Sequence, residues 1–163
     1  GFRGFLYTGL MLCEDGPKVL EFNARLGDPE AQVILPLLES DLFEILDILA
    51  SGGGVEAVQR VKWSEFRTCG VVMCSEGYPH NPKIGEEITG LENIAKDEAL
   101  VFHSGTKYVK GKMFTNGGRV LCVTALGGST EEASSKAYST VKKICWPGEF
   151  HRGDIGLNQR LAA

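Results

Sequence analysis

The chain has 163 residues, of which 43% are hydrophobic and 23% are charged, a composition that suits one ordinary domain or two small ones and excludes wholesale disorder. Its formal net charge of -4 argues against a nucleic-acid-binding protein, which is usually basic. The apolar runs fall far short of the roughly 20 residues of a membrane-spanning helix, so we expect no membrane partner. The chain opens without an initiator Met or an apolar leader, and we expect it to be part of a longer protein.

Cysteine and histidine usage argues against a disulfide framework and against a zinc site. The cysteines are odd in number, no two are spaced as C-x-x-C, and the histidines lie far apart, whereas zinc sites use closely spaced ligand pairs. Cys74 and Cys122 lie in apolar stretches, where Cys behaves as a small hydrophobe. We therefore expect reduced thiols in a cytoplasmic protein.

The first predicted elements are two strands that pair as a hairpin. Residues 5–12 are apolar and rich in strand formers, and residues 13–17 contain the turn sequence Asp-Gly-Pro. Residues 18–23 alternate between apolar and polar. A period of two directs Leu20 and Phe22 to one face of the second strand, which we expect to be the core face.

Two helices are predicted next. Asp28 fits an N-cap with Pro29 at the first helical position, and the short helix 31–35 is expected to end or kink at Pro36.

A second helix is predicted to begin at Asp41, which forms a capping box with Glu44. Residues 51–54 end this helix and mark a domain boundary near residue 60. The glycines there are predicted to be a helix exit rather than a phosphate loop, because no strand precedes them and no Lys-Ser/Thr follows.

Short strands and one helix are predicted in the second half of the chain. The strands cover residues 68–74, 99–103, 112–115 and 119–126. Because Asn-Gly favours a tight primed turn, Asn116 and Gly117 predict that the last two of these strands pair as a hairpin. Ser129 and Glu132 form a capping box for the helix. Its predicted buried face comprises Ala133, Ala137, Val141 and Ile144. The predicted fold class is α+β.

The densest group of polar residues in an apolar setting lies at residues 21–30. Glu21 and Asn23 are two apart on one strand, so their side-chain oxygens point the same way, and such oxygens suit Mg²⁺. Arg25 offers a planar fork for phosphate or carboxylate, and residues 28–30 open a helix that could help to hold an anion. The residues alone leave two readings open, a magnesium–phosphate site and the solvated polar face of an edge strand.

The stretch 20–36 resembles the signature of the phosphoribosylamine–glycine ligase (glycinamide ribonucleotide synthetase) family. Members of this family are ATP-grasp enzymes of purine biosynthesis. Further blocks resemble the same family in the same order: residues 6–12, 16–19, 70–73, 77–79, 102–106, 115–121 and 152–156. The resemblance therefore runs nearly from end to end of the chain.

The resemblance implies that residues 1–60 are the C-terminal part of an ATP-grasp fold, a β-hairpin plus helices. Residues 61–163 would be a small mixed α/β C-terminal domain. The implied reaction joins glycine to 5-phosphoribosylamine through glycyl phosphate, at the expense of ATP. Family members are more than twice as long, so the N-terminal part with the adenine pocket would be missing. We expect this chain alone to be inactive and its partner to be that missing part.

The resemblance also implies roles for five residues. Glu21 and Asn23 would hold Mg²⁺ (or Mn²⁺) against the ATP phosphates, and Arg25 would act in catalysis by neutralising phosphate or acyl-phosphate charge. Gly27 would let the backbone approach the ligand closely. Asp28 would fix the loop, although an N-cap explains it equally well.

Two other functions stay open. One is a non-catalytic binding or scaffold module derived from this ligase, against which the intact Glu21, Asn23 and Arg25 argue. The other is a different ATP-grasp carboxylate–amine ligase, against which the matching second half argues. His103 is predicted to be a packed or capping histidine, and Arg119 a surface arginine.

Overall fold

In the computed structural model, the contacts divide the chain into two units, residues 1–64 and residues 65–163. The structure describes residues 2–95 and 97–157. Both units combine strands with helices, which confirms the predicted α+β class.

The first unit begins with the predicted hairpin. Strand β1 (Tyr7–Cys13) pairs antiparallel with strand β2 (Gly16–Asn23). The register shifts by one residue between Gly9 and Leu10. Such a shift is typical of a β-bulge, which bends a strand locally.

The expectation that Leu20 and Phe22 face a core was wrong. Each of these side chains is 63% exposed. Alternation decides which face of a strand a side chain takes, whereas burial requires a second layer that covers this face. A two-stranded sheet does not supply such a layer by itself.

Three α-helices follow the hairpin: α1 (Ala31–Ile34), α2 (Leu42–Ala50) and α3 (Gly54–Arg60). A 3₁₀ turn, Leu35–Leu37, continues α1 and contains the proline that was predicted to end or kink this helix. The helix α3 was not predicted. Its sequence is short and begins in the glycine run that was assigned to the exit of α2, so no local signal marked it.

The two predicted helix starts had different outcomes. The Asp41 carboxylate accepts hydrogen bonds from the backbone N–H groups of Phe43 (2.7 Å) and Glu44 (3.4 Å), so it is the N-cap of α2. Asp28 was wrongly predicted as the N-cap of α1. The Asp28–Pro29 peptide bond is cis, and Glu30 instead occupies the N-cap position.

The second unit contains two three-stranded antiparallel sheets. One sheet is formed by β3 (Arg67–Cys74), β5 (Leu100–His103) and β8 (Arg119–Gly127), with β8 in the centre. The other is formed by β4 (Glu87–Ile88), β6 (Thr106–Val109) and β7 (Lys112–Thr115), with β7 in the centre.

The predicted hairpin of β7 with β8 was wrong, because these strands belong to different sheets. Residues 116–118 connect β7 in one sheet to β8 in the other. The β5–β6 connection also runs from one sheet to the other, next to residues 116–118. Asn116 N donates to Gly105 O (2.7 Å), and Gly105 N donates to Arg119 O (2.9 Å). A Cβ on Gly105 would lie 2.7 Å from Arg119 O, so the two connections pack without a side chain between them.

The core of the second unit lies between helix α4 (Thr130–Val141) and strands β3 and β8. Ser129 Oγ accepts from Glu132 N (3.2 Å), which confirms the predicted cap. The predicted buried residues are buried: Ala133, Ala137, Val141 and Ile144. Cys74 and Cys122 are buried. Burial raises the pKa of the Cys74 thiol, which makes this thiol less reactive.

We expect the substitution Leu121→Ala to destabilise the second unit by about 2–5 kcal/mol, because it leaves a cavity at a fully buried position. Leu157→Ala is the matched control, since Leu157 is 58% exposed, and should cost about 0.5 kcal/mol or less. Urea unfolding followed by Trp146 fluorescence, in a Trp63→Phe background, measures both changes. Equal losses of stability in the two variants would contradict the assigned core.

Candidate functional site

A carboxylate and an amide lie side by side at the end of β2. Asn23 Nδ2 donates to Glu21 Oε1 at 3.1 Å, so the two side chains lie on the same side of the strand. Glu21 is exposed and Asn23 is half-buried. The pair therefore presents polar atoms to solvent at the point where the strand runs into the following loop.

Strand β1 leaves room for this pair. Gly9 is the register partner of Glu21, and Tyr7 is the register partner of Asn23. A Cβ on Gly9 would lie 3.2 Å from Glu21 Cγ and 3.6 Å from Tyr7 Cε1. The absent side chain at Gly9 thus lets the Glu21 side chain and the Tyr7 ring lie close to the strand and flank the same position.

Gly27 is buried in the loop after β2 and supports the Glu30 side chain. A Cβ on Gly27 would collide with the Glu30 carboxylate group and lie 2.9 Å from its Cδ. The Gly27 carbonyl also accepts a hydrogen bond from Ala31 N (3.0 Å) at the start of α1. A side chain at this position would therefore displace the Glu30 carboxylate from the place that it occupies here.

Glu30 connects this loop to the hairpin. The Tyr7 hydroxyl donates to Glu30 Oε1 at 3.2 Å, across 23 residues of sequence. The hydrogen bond to the carboxylate and the repulsion between its charge and a phenolate raise the pKa of Tyr7 above its ordinary value. Partial desolvation and the charge of Glu21 also raise the pKa of Tyr7.

Arg25 and Asp28 are held by neighbours in the same segment. The Arg25 guanidinium donates from Nη1 to Leu26 O (2.8 Å) and is exposed. Asp28 Oδ1 accepts from Gln32 Nε2 (2.8 Å), which links the loop to α1. One hydrogen bond thus joins Glu21 to Asn23, while the two bonds named here for Arg25 and Asp28 join residues of the segment 25–32.

Sequence reasoning missed three residues of this site, Tyr7, Gly9 and Glu30. Glu30 was noted only as one of the residues 28–30, which open a helix that could help to hold an anion. The available signal was the hairpin register, which places Tyr7 opposite Asn23 and Gly9 opposite Glu21. The contact between Tyr7 and Glu30 had no such signal, because it depends on the path of the loop.

The candidates in the second unit form no comparable group. His103 is exposed, and its Nδ1 lies 3.1 Å from Thr106 Oγ1. Arg119 is half-buried, and its charge lowers the pKa of Cys74, although burial raises that pKa by more.

Within residues 2–95 and 97–157, no three His, Cys, Asp or Glu side chains are grouped to hold a metal ion. No helix in those ranges is long and apolar enough to cross a membrane.

Two family descriptions match the chain. Residues 68–158 match "Phosphoribosylglycinamide synthetase, C domain", and residues 1–31 match "Phosphoribosylglycinamide synthetase, ATP-grasp (A) domain". The chain belongs to the phosphoribosylglycinamide synthetase family. Residues 1–31 include Tyr7, Glu21, Asn23 and Glu30, so the polar group lies in the ATP-grasp portion.

Sequence identity to individual relatives supports the assignment of the chain to this family. The chain is 46% identical to the phosphoribosylamine–glycine ligase of Vibrio vulnificus strain CMCP6 over 95% of its own length and 36% of the relative. It is also 46% identical to that of Caldanaerobacter subterraneus over 94% of its own length and 36% of the relative. The chain therefore spans about a third of the length of these relatives.

A solved structure is similar as well. The crystal structure of the phosphoribosylamine–glycine ligase from Thermotoga maritima matches with a TM-score of 0.70 and 37% identity. The match covers 93% of this chain and 37% of the other.

We expect Glu30→Gln to lower the pKa of Tyr7 toward its ordinary value. The amide oxygen of Gln can still accept the tyrosine hydrogen bond, but it carries no charge to repel the phenolate. A pH titration of ¹³Cζ-labelled tyrosine by NMR, with Tyr7→Phe to assign the signal, measures the change. Glu14→Gln, at the other end of the hairpin, should leave the pKa of Tyr7 unchanged; an equal pKa in wild type and Glu30→Gln would contradict the contact.

Proposed function

We propose that this chain is the C-terminal portion of a phosphoribosylamine–glycine ligase, which joins glycine to 5-phosphoribosylamine with ATP through glycyl phosphate. The observation that carries the proposal is the Glu21–Asn23 pair at the end of β2, within the stretch that matches an ATP-grasp domain. The relatives named as this ligase match nearly the whole chain. A purine-biosynthesis ligase would act in the cytoplasm.

The donor atoms of the pair fit a divalent cation that is shared with phosphate. Glu21 supplies carboxylate oxygens and Asn23 an amide oxygen, and Mg²⁺ (or Mn²⁺) prefers hard oxygen ligands. Two side chains do not complete a coordination shell, and Mg²⁺ commonly completes its shell with water and substrate phosphates. A cation bound there would neutralise charge on the ATP phosphates during phosphoryl transfer.

The neighbouring residues of the loop would act on the transferred group. In this proposal Arg25 is catalytic, because its guanidinium can balance negative charge on phosphate or on the acyl phosphate. Its exposure leaves it accessible to a ligand. Gly27 and Asp28 would help to bind the nucleotide by keeping the loop in shape, through the close approach of Glu30 to Gly27 and the bond from Gln32 to Asp28.

The partner of this chain would be the N-terminal part of the same ligase. The hairpin supports this proposal, because a two-stranded sheet with large apolar side chains in solvent resembles part of a larger sheet. The exposed side chains are Leu10, Met11, Leu12, Val19, Leu20 and Phe22. The adenine pocket would lie in that N-terminal part, so the chain alone would be inactive.

A second candidate function is a binding or scaffold module. One observation favours it: the second unit has a buried core of its own, and the C-domain match over residues 68–158 lies within that unit. Such a module would not need Glu21 or Asn23.

We expect phosphate release from ATP, with glycine, Mg²⁺ and freshly prepared 5-phosphoribosylamine, only when this chain is mixed with a matching N-terminal part. Glu21→Ala should abolish this activity, because it removes the carboxylate from the cation site. Glu14→Gln is the matched control and should retain full activity, since Glu14 lies in the turn of the hairpin.

Three other outcomes would contradict parts of the proposal. Activity of the chain alone would show that it does not need an N-terminal partner. Activity of the mixture that survives Glu21→Ala would remove the cation role. A folded chain that gives no activity in any mixture would favour the binding-module function.

A further inference from the structure

The position of the Glu21–Asn23 pair depends on contacts made by the strand beside it. The Glu21 side chain and the Tyr7 ring both lie near the position that a Cβ on Gly9 would take. Tyr7 is also the register partner of Asn23. Tyr7 therefore borders both members of the pair through the strand β1.

The hydroxyl group of Tyr7 makes the next contact. It donates to Glu30 Oε1, and the Glu30 side chain reaches this position by folding over Gly27. The Glu30 carbonyl accepts hydrogen bonds from Val33 N (3.1 Å) and Ile34 N (3.0 Å). One residue thus begins α1, covers the loop and contacts the hairpin.

The orientation of the Glu30 carboxylate argues against a direct ligand role. Oε1 accepts from Tyr7, and Oε2 lies in the space where a Gly27 Cβ would be. Both oxygens therefore face the protein. A side chain held in this way acts through the groups that it contacts.

We propose that Tyr7 and Glu30 are positioning residues, which keep the Glu21–Asn23 pair and the loop 25–28 in one arrangement suited to a phosphate-bound divalent cation. The role of the cation rests on the proposed function. The arrangement itself rests on the contacts of Tyr7 with Glu30 and of Glu30 with Gly27. Residues that orient metal ligands commonly change metal affinity by about 10–100-fold when they are replaced.

The first test uses NMR of the full ¹⁵N-labelled chain and needs no ligand. We expect Tyr7→Phe and Glu30→Ala to shift the side-chain amide signals of Asn23 and the backbone amide signal of Gly27. Glu30→Gln keeps an acceptor for the Tyr7 hydroxyl and should shift them less. Tyr108→Phe is the matched control, because Tyr108 is 69% exposed in the second unit. Unchanged Asn23 and Gly27 signals in Tyr7→Phe and Glu30→Ala would overturn the positioning role.

The second test measures Mn²⁺ affinity in the presence of ATP, by electron paramagnetic resonance, on the chain mixed with the N-terminal part. Tyr7→Phe and Glu30→Ala should weaken Mn²⁺ binding about 10–100-fold, whereas Glu30→Gln should stay near wild type. The KM for glycine should not change. A loss in Glu30→Gln as large as in Glu30→Ala would overturn the positioning role, because the charge itself would then be needed.

The two tests separate this inference from the proposed function. Wild-type protein that binds no Mn²⁺ with ATP would overturn the metal role of Glu21 and Asn23. Shifted Asn23 and Gly27 signals in the same protein would still support the positioning of the pair by Tyr7 and Glu30.

Discussion

Apolar faces are buried only where a second layer of structure covers them, and this constraint organises both units. In the second unit, helix α4 covers strands β3 and β8, and the residues between them are fully buried. In the first unit, strands β1 and β2 form a two-stranded sheet, and Leu20 and Phe22 stay exposed. Apolar strand residues therefore form a core in one unit and an exposed surface in the other.

The polar site follows from close approaches at glycine. Gly9 admits the Glu21 side chain and the Tyr7 ring, and Gly27 admits the Glu30 carboxylate. These contacts hold a carboxylate–amide pair beside a loop that carries Arg25 and Asp28. An oxygen-rich pair next to an arginine suits a cation shared with phosphate, which is the chemistry of the ligase proposed for the whole protein.

Local signals predicted local structure well. The Asp-Gly-Pro turn predicted the β1–β2 hairpin, and the caps at Asp41 and Ser129 were correct because an N-cap bond spans only two or three residues. The local N-cap signal at Asp28 failed, and the predicted hairpin of β7 with β8 failed because a contact from another connection competed with the local turn signal. The turn at Asn116 and Gly117 became a crossing between sheets because the neighbouring connection at Gly105 pairs with it.

The order of residues was enough to predict the family, the α+β class and the placement of Glu21 and Asn23 on one face of a strand. These features depend on the order of residues and on a period of two. The folded chain was needed to show which apolar faces are buried and that the Tyr7 hydroxyl contacts the Glu30 carboxylate. Those outcomes depend on which segments meet in space, and contacts between distant residues leave no fixed spacing in the chain.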